Sequence, residues 1–218
     1  VNGKWLAANA IPGDRTSWGA FEMLGERSLA VQQQLVEQAA AMKDAKGVEK
    51  IVGDFWATGM DEAKIEAQGI APLKSRLDAI DALADGPAVA EHLRQSFAKG
   101  EGAIFGFGPS ADFKDSAMNI AYVSQAGLGL PDKGYYFDAN KKKEREAYEL
   151  HISKVLELSG IAAADAAKQA KDVIAFETRL AKVSKSSEEL SRDVSLYYNP
   201  VSVADADKKT PNFQWSKF

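Results

Sequence analysis

Residue types that carry metal or nucleophilic chemistry are few in this chain and are not grouped along it. There is no cysteine, which excludes disulfides, thiolate catalysis and cysteine metal sites together. The two histidines, His92 and His151, fall in different predicted helices, and neither belongs to an H-x-x-x-H pair. Because a zinc site needs three or four ligands around one ion, each is interpreted as a helix-surface or packed histidine.

Two further stretches resemble anion-binding motifs but lack the context that such motifs require. GFGPSA, residues 106–111, matches a loose dinucleotide-binding pattern, which functions only where a helix begins at the glycines within a βαβ unit. Here Pro109 and a polar turn follow, so the glycines are interpreted as strand residues. The basic run 141–143 is followed at once by Glu144 and Glu146, which is typical of a solvated helix face.

The composition is that of an ordinary globular protein. Of the 218 residues, 45% are hydrophobic, which is enough to bury a core. The formal net charge is −4, whereas nucleic-acid-binding surfaces are basic, so we expect no nucleic-acid partner. No apolar run approaches the roughly 18 residues that a membrane-spanning helix needs, and we predict no transmembrane segment in this chain.

Hydrophobic periodicity predicts a mainly α-helical fold. An apolar stripe at 48–56 has the spacing of a core-facing helix. The other helices predicted on this basis cover about 19–43, 61–68, 73–84, 87–98, 139–159, 162–183 and 202–208. Thr16 or Ser17 is a candidate cap for the first of these. Alanines along one side of 162–183 allow close helix packing, and Glu177 lies on that side as a candidate buried carboxylate whose partner the sequence does not identify.

One region departs from helical periodicity. Residues 103–109 and 117–125 flank a polar turn, which predicts one small antiparallel β-hairpin at about 103–125. The stretch GLGLPDKGYYF, residues 127–137, follows directly. Its glycines allow unusual backbone conformations and its proline fixes a turn. We expect its three aromatics, residues 135–137, to pin this chain reversal against the core, and interpret the loop as structural.

Four segments in a fixed order resemble a known family. They are VNGKWL (1–6), IPGDRTSWGAFEML (11–24), GLGLPDKGYY (127–136) and YYNPVSVAD…PNFQW (197–215), and WATGMDEAKIEAQGIAPL (56–73) adds to them. Together they resemble the N-terminal region of the neprilysin, endothelin-converting-enzyme and bacterial PepO family of zinc metallopeptidases. The resemblance runs over nearly the whole chain.

The resemblance implies that the full-length protein is a zinc metalloendopeptidase that hydrolyses peptides. Such enzymes bind Zn²⁺ through an H-E-x-x-H helix and a later glutamate, and that motif is absent here. We therefore expect residues 1–218 to be the N-terminal, mostly helical region, with no catalytic residue or metal ligand and no activity alone. Its expected partners are peptide substrates and the C-terminal catalytic region of the same polypeptide. Members of this family usually work outside the cytoplasm, so the resemblance implies a periplasmic or extracellular location. Cytoplasmic bacterial relatives are the exception and make a cytoplasmic location the alternative.

The resemblance also implies a role for the segment before the first long helix. Residues 1–43 are expected to pack toward the catalytic side and to help shape the primed subsites. Phe21 matches a pocket-wall aromatic for the residue after the cleaved bond, and Glu22 matches an acidic neighbour in the next subsite. Relatives often carry a carboxylate-binding arginine where this chain has Ser17. Because the segment is predicted to be extended, Arg15 shares a side with Ser17 and is a candidate replacement.

Other readings of the sequence remain open at this stage. The main alternative is a non-enzymatic helical module that binds peptides or partner proteins, and another is a degenerate relative without its zinc motif. In the plainest alternative, Trp18 and Phe21 only pack the start of a helix. If the chain is the N-terminal region of a peptidase, we expect it to expose an apolar face.

Overall fold

The computed structural model describes residues 2–218 and confirms a mainly α-helical fold with one two-stranded antiparallel sheet. The chain divides into two units, Val1–Pro72 and Leu73–Phe218, which are described in turn. Within the described residues, no helix combines the length and the apolar character needed to cross a membrane.

The first unit is built on a pair of packed helices. Its helices are α1 (Gly3–Ala8), α2 (Ala20–Ala41), α3 (Gly47–Met60) and α4 (Glu62–Gln68). Helices α2 and α3 are in close contact at Ala39 and Gly53, both of which are buried. A Cβ atom added to Gly53 would lie 2.7 Å from the carbonyl carbon and oxygen of Ala39. Glycine at this position therefore sets the separation of the two helices.

Part of the apolar stripe of α3 faces away from this contact. Ile51 is 70% exposed and Phe55 is 84% exposed, although their spacing predicts a core-facing side. That expectation is wrong for Ile51 and Phe55, because α3 packs on α2 through Gly53, on the opposite side of the helix. Val52 and Trp56 of the same stripe are half-buried. Large apolar side chains of α2 are exposed as well, among them Leu24 and Leu35. The expected exposed apolar surface is thus present on both helices.

The second unit contains the remaining helices and the sheet. Its helices are α5 (Lys74–Asp81), α6 (Gly86–Ala98), α7 (Gly134–Phe137), α8 (Lys142–Leu158), α9 (Ala163–Val183), α10 (Ser187–Arg192) and α11 (Val203–Lys209). Helices α8 and α9 pack against each other. Ala166, Ala170 and Ala181 of α9 are completely buried, which confirms that the alanine side of this helix is a packing surface.

The hairpin lies where it was predicted, within residues 103–125. Strand β1 (Phe105–Ala111) pairs antiparallel with β2 (Asn119–Gln125), so that the first residue of one faces the last residue of the other. The turn is closed by the Asp112 amide, which donates to the Met118 carbonyl at 2.9 Å. The GFGPSA stretch lies inside β1, which confirms its glycines as strand residues.

Half-buried aromatic side chains form a cluster between β1, α6 and the C-terminal segment. Their ring centroids lie 4.9–6.4 Å apart. The cluster consists of Phe97, Phe105, Phe107, Phe213, Trp215 and Phe218. Aromatic pairs at these distances gain about 0.5–1.5 kcal/mol beyond the area that they bury. The cluster holds the segment after α11 against the hairpin.

Candidate functional site

The segment before α2 turns back on itself instead of running extended. The Arg15 amide donates to the Pro12 carbonyl at 3.0 Å and closes a tight turn through Gly13 and Asp14. The prediction of an extended segment is therefore wrong over its first half. Proline followed by glycine favours a turn, and that local preference dominates here.

The turn brings the Arg15 side chain onto α2. Its Nη2 atom forms an ion pair with Glu26, and its Nε atom lies 3.7 Å from Asp14 Oδ2. The Arg15 and Glu26 side chains are each 42% exposed, so the pair is open to solvent. Sequence reasoning did not identify Glu26. The available signal was its position one helical turn after Glu22, which places both carboxylates on one face of α2.

Ser17 contacts the same face of α2 one turn earlier. Its hydroxyl donates to Glu22 Oε1 at 2.8 Å. This hydrogen bond, with smaller contributions from backbone amides at the helix start, lowers the pKa of Glu22. An ionised carboxylate in the first turn also complements the helix dipole. Neither Thr16 nor Ser17 caps the helix as predicted, because Gly19 occupies the N-cap and the Ser17 hydroxyl is bonded to Glu22.

Phe21 stands apart from these polar contacts. It is 87% exposed, whereas Trp18 is half-buried. The reading in which Phe21 merely packs the helix start is therefore wrong. An aromatic ring left in water at the beginning of a long helix is available for contact with another molecule or another part of the polypeptide.

The four predicted residues thus lie before and at the start of α2 as a set of chemically different groups. The set offers an apolar ring (Phe21), an ionised carboxylate (Glu22) with its hydroxyl donor (Ser17), and a guanidinium that already has a carboxylate partner (Arg15). These groups can bind a peptide through apolar contact and charge-assisted hydrogen bonds. They contain no nucleophile–base pair.

The residues that the structure describes do not form a zinc site. Within the part of the chain that the structure describes, no three His, Cys, Asp or Glu side chains are close enough to hold a metal ion. His92 is half-buried in α6 and His151 is exposed in α8, as their interpretation as helix residues predicts. The basic run at the start of α8 pairs with acidic residues, since Lys142 Nζ lies 3.6 Å from Glu146 Oε1.

A second polar arrangement lies at the buried side of α9. Glu177 is 8% exposed and accepts three hydrogen bonds. Its Oε2 atom accepts from the Tyr136 hydroxyl at 2.5 Å and from the Gly129 amide at 3.3 Å, and Oε1 accepts from the Tyr148 hydroxyl at 3.0 Å. Burial, followed by the bond to Glu177, raises the pKa of Tyr148 to about 12 and also raises that of Tyr136. These are the partners that the sequence left unidentified.

This arrangement fixes the loop 127–137. The Tyr136 hydroxyl also accepts from the Leu130 amide at 3.1 Å, so one buried tyrosine joins the loop to α9. A Cβ atom on Gly129 would overlap the Tyr148 hydroxyl, so only glycine fits there. The expectation that three aromatics pin the loop holds for buried Tyr136 and is wrong for Phe137, which is 48% exposed. With its hydrogen bonds made inside the protein, Glu177 acts as a structural carboxylate.

Comparison with known proteins identifies the family. The family model for the N-terminal region of peptidase family M13 matches residues 1–218, the entire chain. The chain therefore belongs to peptidase family M13, which confirms the family inferred from the four ordered segments.

Two relatives from Rattus norvegicus illustrate how much of such a protein this chain represents. Endothelin-converting enzyme-like 1 is 29% identical over 228 residues, which cover 98% of this chain and 29% of that protein. Endothelin-converting enzyme 1 is 29% identical over 230 residues, which cover 99% of this chain and 29% of that protein. The chain thus spans less than a third of the length of these relatives.

Solved structures agree with this assignment. The zinc metalloprotease Zmp1 of Mycobacterium tuberculosis, in complex with an inhibitor, is 34% identical with a TM-score of 0.84, over 96% of this chain and 32% of that one. PepO from Lactobacillus rhamnosis is 23% identical with a TM-score of 0.78, over 100% of this chain and 35% of that one. The second likeness concerns the fold alone.

Proposed function

We propose that the full-length protein is a zinc-dependent metalloendopeptidase that hydrolyses peptides, and that this region helps to enclose its substrate cavity. The observation that carries the proposal is the match to peptidase family M13 over all 218 residues. The likeness to a solved zinc metalloprotease at 34% identity supports it. A periplasmic or extracellular location is part of the proposal, with a cytoplasmic one as the alternative.

Zinc belongs to another part of this proposed enzyme. The chain has no H-E-x-x-H sequence, and its described side chains form no group that suits a metal. We infer that Zn²⁺ is bound by the C-terminal catalytic region of the same polypeptide, which is the partner of this one. There the ion would activate a water molecule for attack on the peptide bond. Residues 1–218 alone are accordingly expected to be inactive.

The segment before α2 and the start of that helix are the proposed substrate-binding part of this region. Residues 1–43 would pack toward the catalytic region, with Phe21 as a wall of the first primed subsite and Glu22 in the next. Arg15 would bind a peptide carboxylate, with Ser17 holding Glu22 in place. The exposure of Phe21 and the contacts that gather the polar residues on one face of α2 support this assignment.

Cleavage assays on the full-length protein test the enzyme. We expect hydrolysis of quenched-fluorescent peptides, its loss on treatment with a zinc chelator and its return when Zn²⁺ is added. A purified full-length protein that binds such peptides without cleaving them, with or without zinc, would support the non-enzymatic alternative instead.

Substitution of Phe21 tests the subsite. Phe21→Ala should lower kcat/KM about tenfold or more for peptides with a large apolar residue directly after the cleaved bond, since burying such a side chain is worth about 1.5–3 kcal/mol. Leu150→Ala is the control, because Leu150 is 72% exposed in α8 and belongs to no proposed subsite. If the two substitutions have equal, small effects on kcat/KM, Phe21 is not part of the subsite.

Arg15→Ala tests the carboxylate contact. It should weaken cleavage of peptides whose free carboxylate lies two residues after the cleaved bond by about 1.5–3 kcal/mol, the usual worth of a hydrogen bond to a charged group. The amidated versions of the same peptides should be nearly unaffected. A loss that is equal for acid and amide would exclude Arg15 as the binding group.

A further inference from the structure

Arg15 is engaged by carboxylates of its own chain along one edge of its guanidinium group. Nη2 is bonded to Glu26, and Nε, the neighbouring donor on that edge, faces Asp14 at 3.7 Å. An arginine binds an incoming carboxylate most strongly when two adjacent N–H groups donate in parallel. A peptide carboxylate can take this edge of Arg15 only if Glu26 leaves it.

We propose that Glu26 is a specificity-determining residue, which competes with the peptide for Arg15 and so weakens the preference for substrates with a free carboxylate. The inference rests on the proposed function, because it requires that Arg15 lie in a primed subsite. It assigns a role to Glu26 that differs from that of Glu22, whose carboxylate is held by the Ser17 hydroxyl.

The structure makes this exchange feasible. The Arg15 and Glu26 side chains are 42% exposed, so a peptide can reach the pair from solvent. Water or the substrate can replace the contact that is lost when the two side chains separate. Because solvent-exposed ion pairs are weak, Glu26 can be displaced. Molecules in which Arg15 is paired with Glu26 do not bind the carboxylate at this edge. The apparent affinity is therefore proportional to the fraction of molecules in which Arg15 is free of Glu26.

The test compares Glu26→Gln, Arg15→Ala and the double variant in the full-length enzyme. Each is assayed with matched peptides that end two residues after the cleaved bond, as the free acid and as the amide. Glu26→Gln should raise the acid-to-amide ratio of kcat/KM about two- to fivefold, the range expected for the loss of one exposed ion pair. Glu37→Gln is the matched control, because Glu37 lies on α2 and accepts from Gln33 at 2.9 Å.

The double variant shows whether Glu26 acts through Arg15. We expect Glu26→Gln to leave the ratio unchanged when Arg15 is already alanine. If Arg15→Ala lowers the ratio but Glu26→Gln does not raise it, the inference fails while the proposed role of Arg15 stands. If Glu26→Gln raises the ratio equally with Arg15 present and with Arg15→Ala, Glu26 repels the peptide carboxylate directly by its charge. The proposed competition for Arg15 is then refuted. If Arg15→Ala leaves the ratio unchanged, the proposed carboxylate contact fails and this inference fails with it.

Discussion

Glu177→Gln is the sharpest test of what holds the second unit together. The substitution keeps the size of the side chain and removes only its charge and one acceptor group. Glu177 lies in α9, and its three donors come from the loop after the hairpin, from α7 and from α8. Replacing one carboxylate oxygen by an NH2 group therefore perturbs the contacts among four parts of the fold.

The size of the effect follows from the number and type of the hydrogen bonds. A hydrogen bond to a charged group contributes about 1.5–3 kcal/mol, and one between neutral groups about 0.5–1.5 kcal/mol. Losing about 1 kcal/mol at each of the three bonds lowers the free energy of unfolding by about 3 kcal/mol. The NH2 group of the new amide also presents a donor at the position to which either Tyr136 or Tyr148 donates now, so one of the two hydroxyls has to reorient.

Urea unfolding of the protein, followed by circular dichroism, measures this loss. Hydrogen exchange adds a local readout, because the amides of Gly129 and Leu130 should exchange faster in the variant than in the parent. Asp172→Asn, an exposed change on the same helix, is the control and should be nearly neutral. A Glu177→Gln protein within about 0.5 kcal/mol of the parent would refute the argument, since that is the range of ordinary surface changes.

Two further predictions concern stability. Gly53→Ala should lower the free energy of unfolding, measured with urea, by about 1–3 kcal/mol, because the added Cβ atom would lie 2.7 Å from the Ala39 backbone. The control is Gly59→Ala, in open space on the same helix, which should raise the free energy of unfolding by about 0.5–1 kcal/mol. The raised pKa of Tyr148, about 12 against an ordinary value near 10, means that the unfolded chain releases this proton first as the pH rises. The free energy of unfolding should therefore fall between about pH 10 and 12, and Tyr148→Phe should remove that part of the fall in a pH series of urea titrations.

Secondary structure was predictable because it depends on local pattern. The predicted helix at 19–43 is observed as α2, Ala20–Ala41, and that at 162–183 as α9, Ala163–Val183. Which apolar side is buried was less predictable. The stripe of α3 that contains Phe55 has the spacing of a core face, yet burial depends on which neighbour lies against it, and periodicity carries no information about neighbours.

Contacts between distant residues account for what the sequence did not reveal. Glu177 was identified as a candidate buried carboxylate, but Tyr136 and Gly129 precede it by 41 and 48 residues. No local rule connects such positions. The Arg15–Glu26 pair spans only 11 residues, but it depends on the turn after Pro12, which the prediction of an extended segment omitted.

The loop 127–137 illustrates how a distinctive sequence can be explained without a role in substrate binding. A Cβ atom on Gly127, whose φ is +83°, would lie 2.7 Å from the Ile104 carbonyl oxygen. Asp132 accepts from the amide and the hydroxyl of Ser187 at 2.8 and 3.0 Å, which ties the loop to the start of α10. Tyr136 donates to Glu177. Because these residues are committed to contacts inside the second unit, few groups of the loop remain for a ligand.

The segment before α2 differs from the loop, since Phe21 is exposed and the Arg15 side chain is paired only at the solvent-exposed surface. If the proposed function holds, substrate specificity contributed by this chain is to be sought before and at the start of α2, and the loop is where the stability of the second unit should be tested.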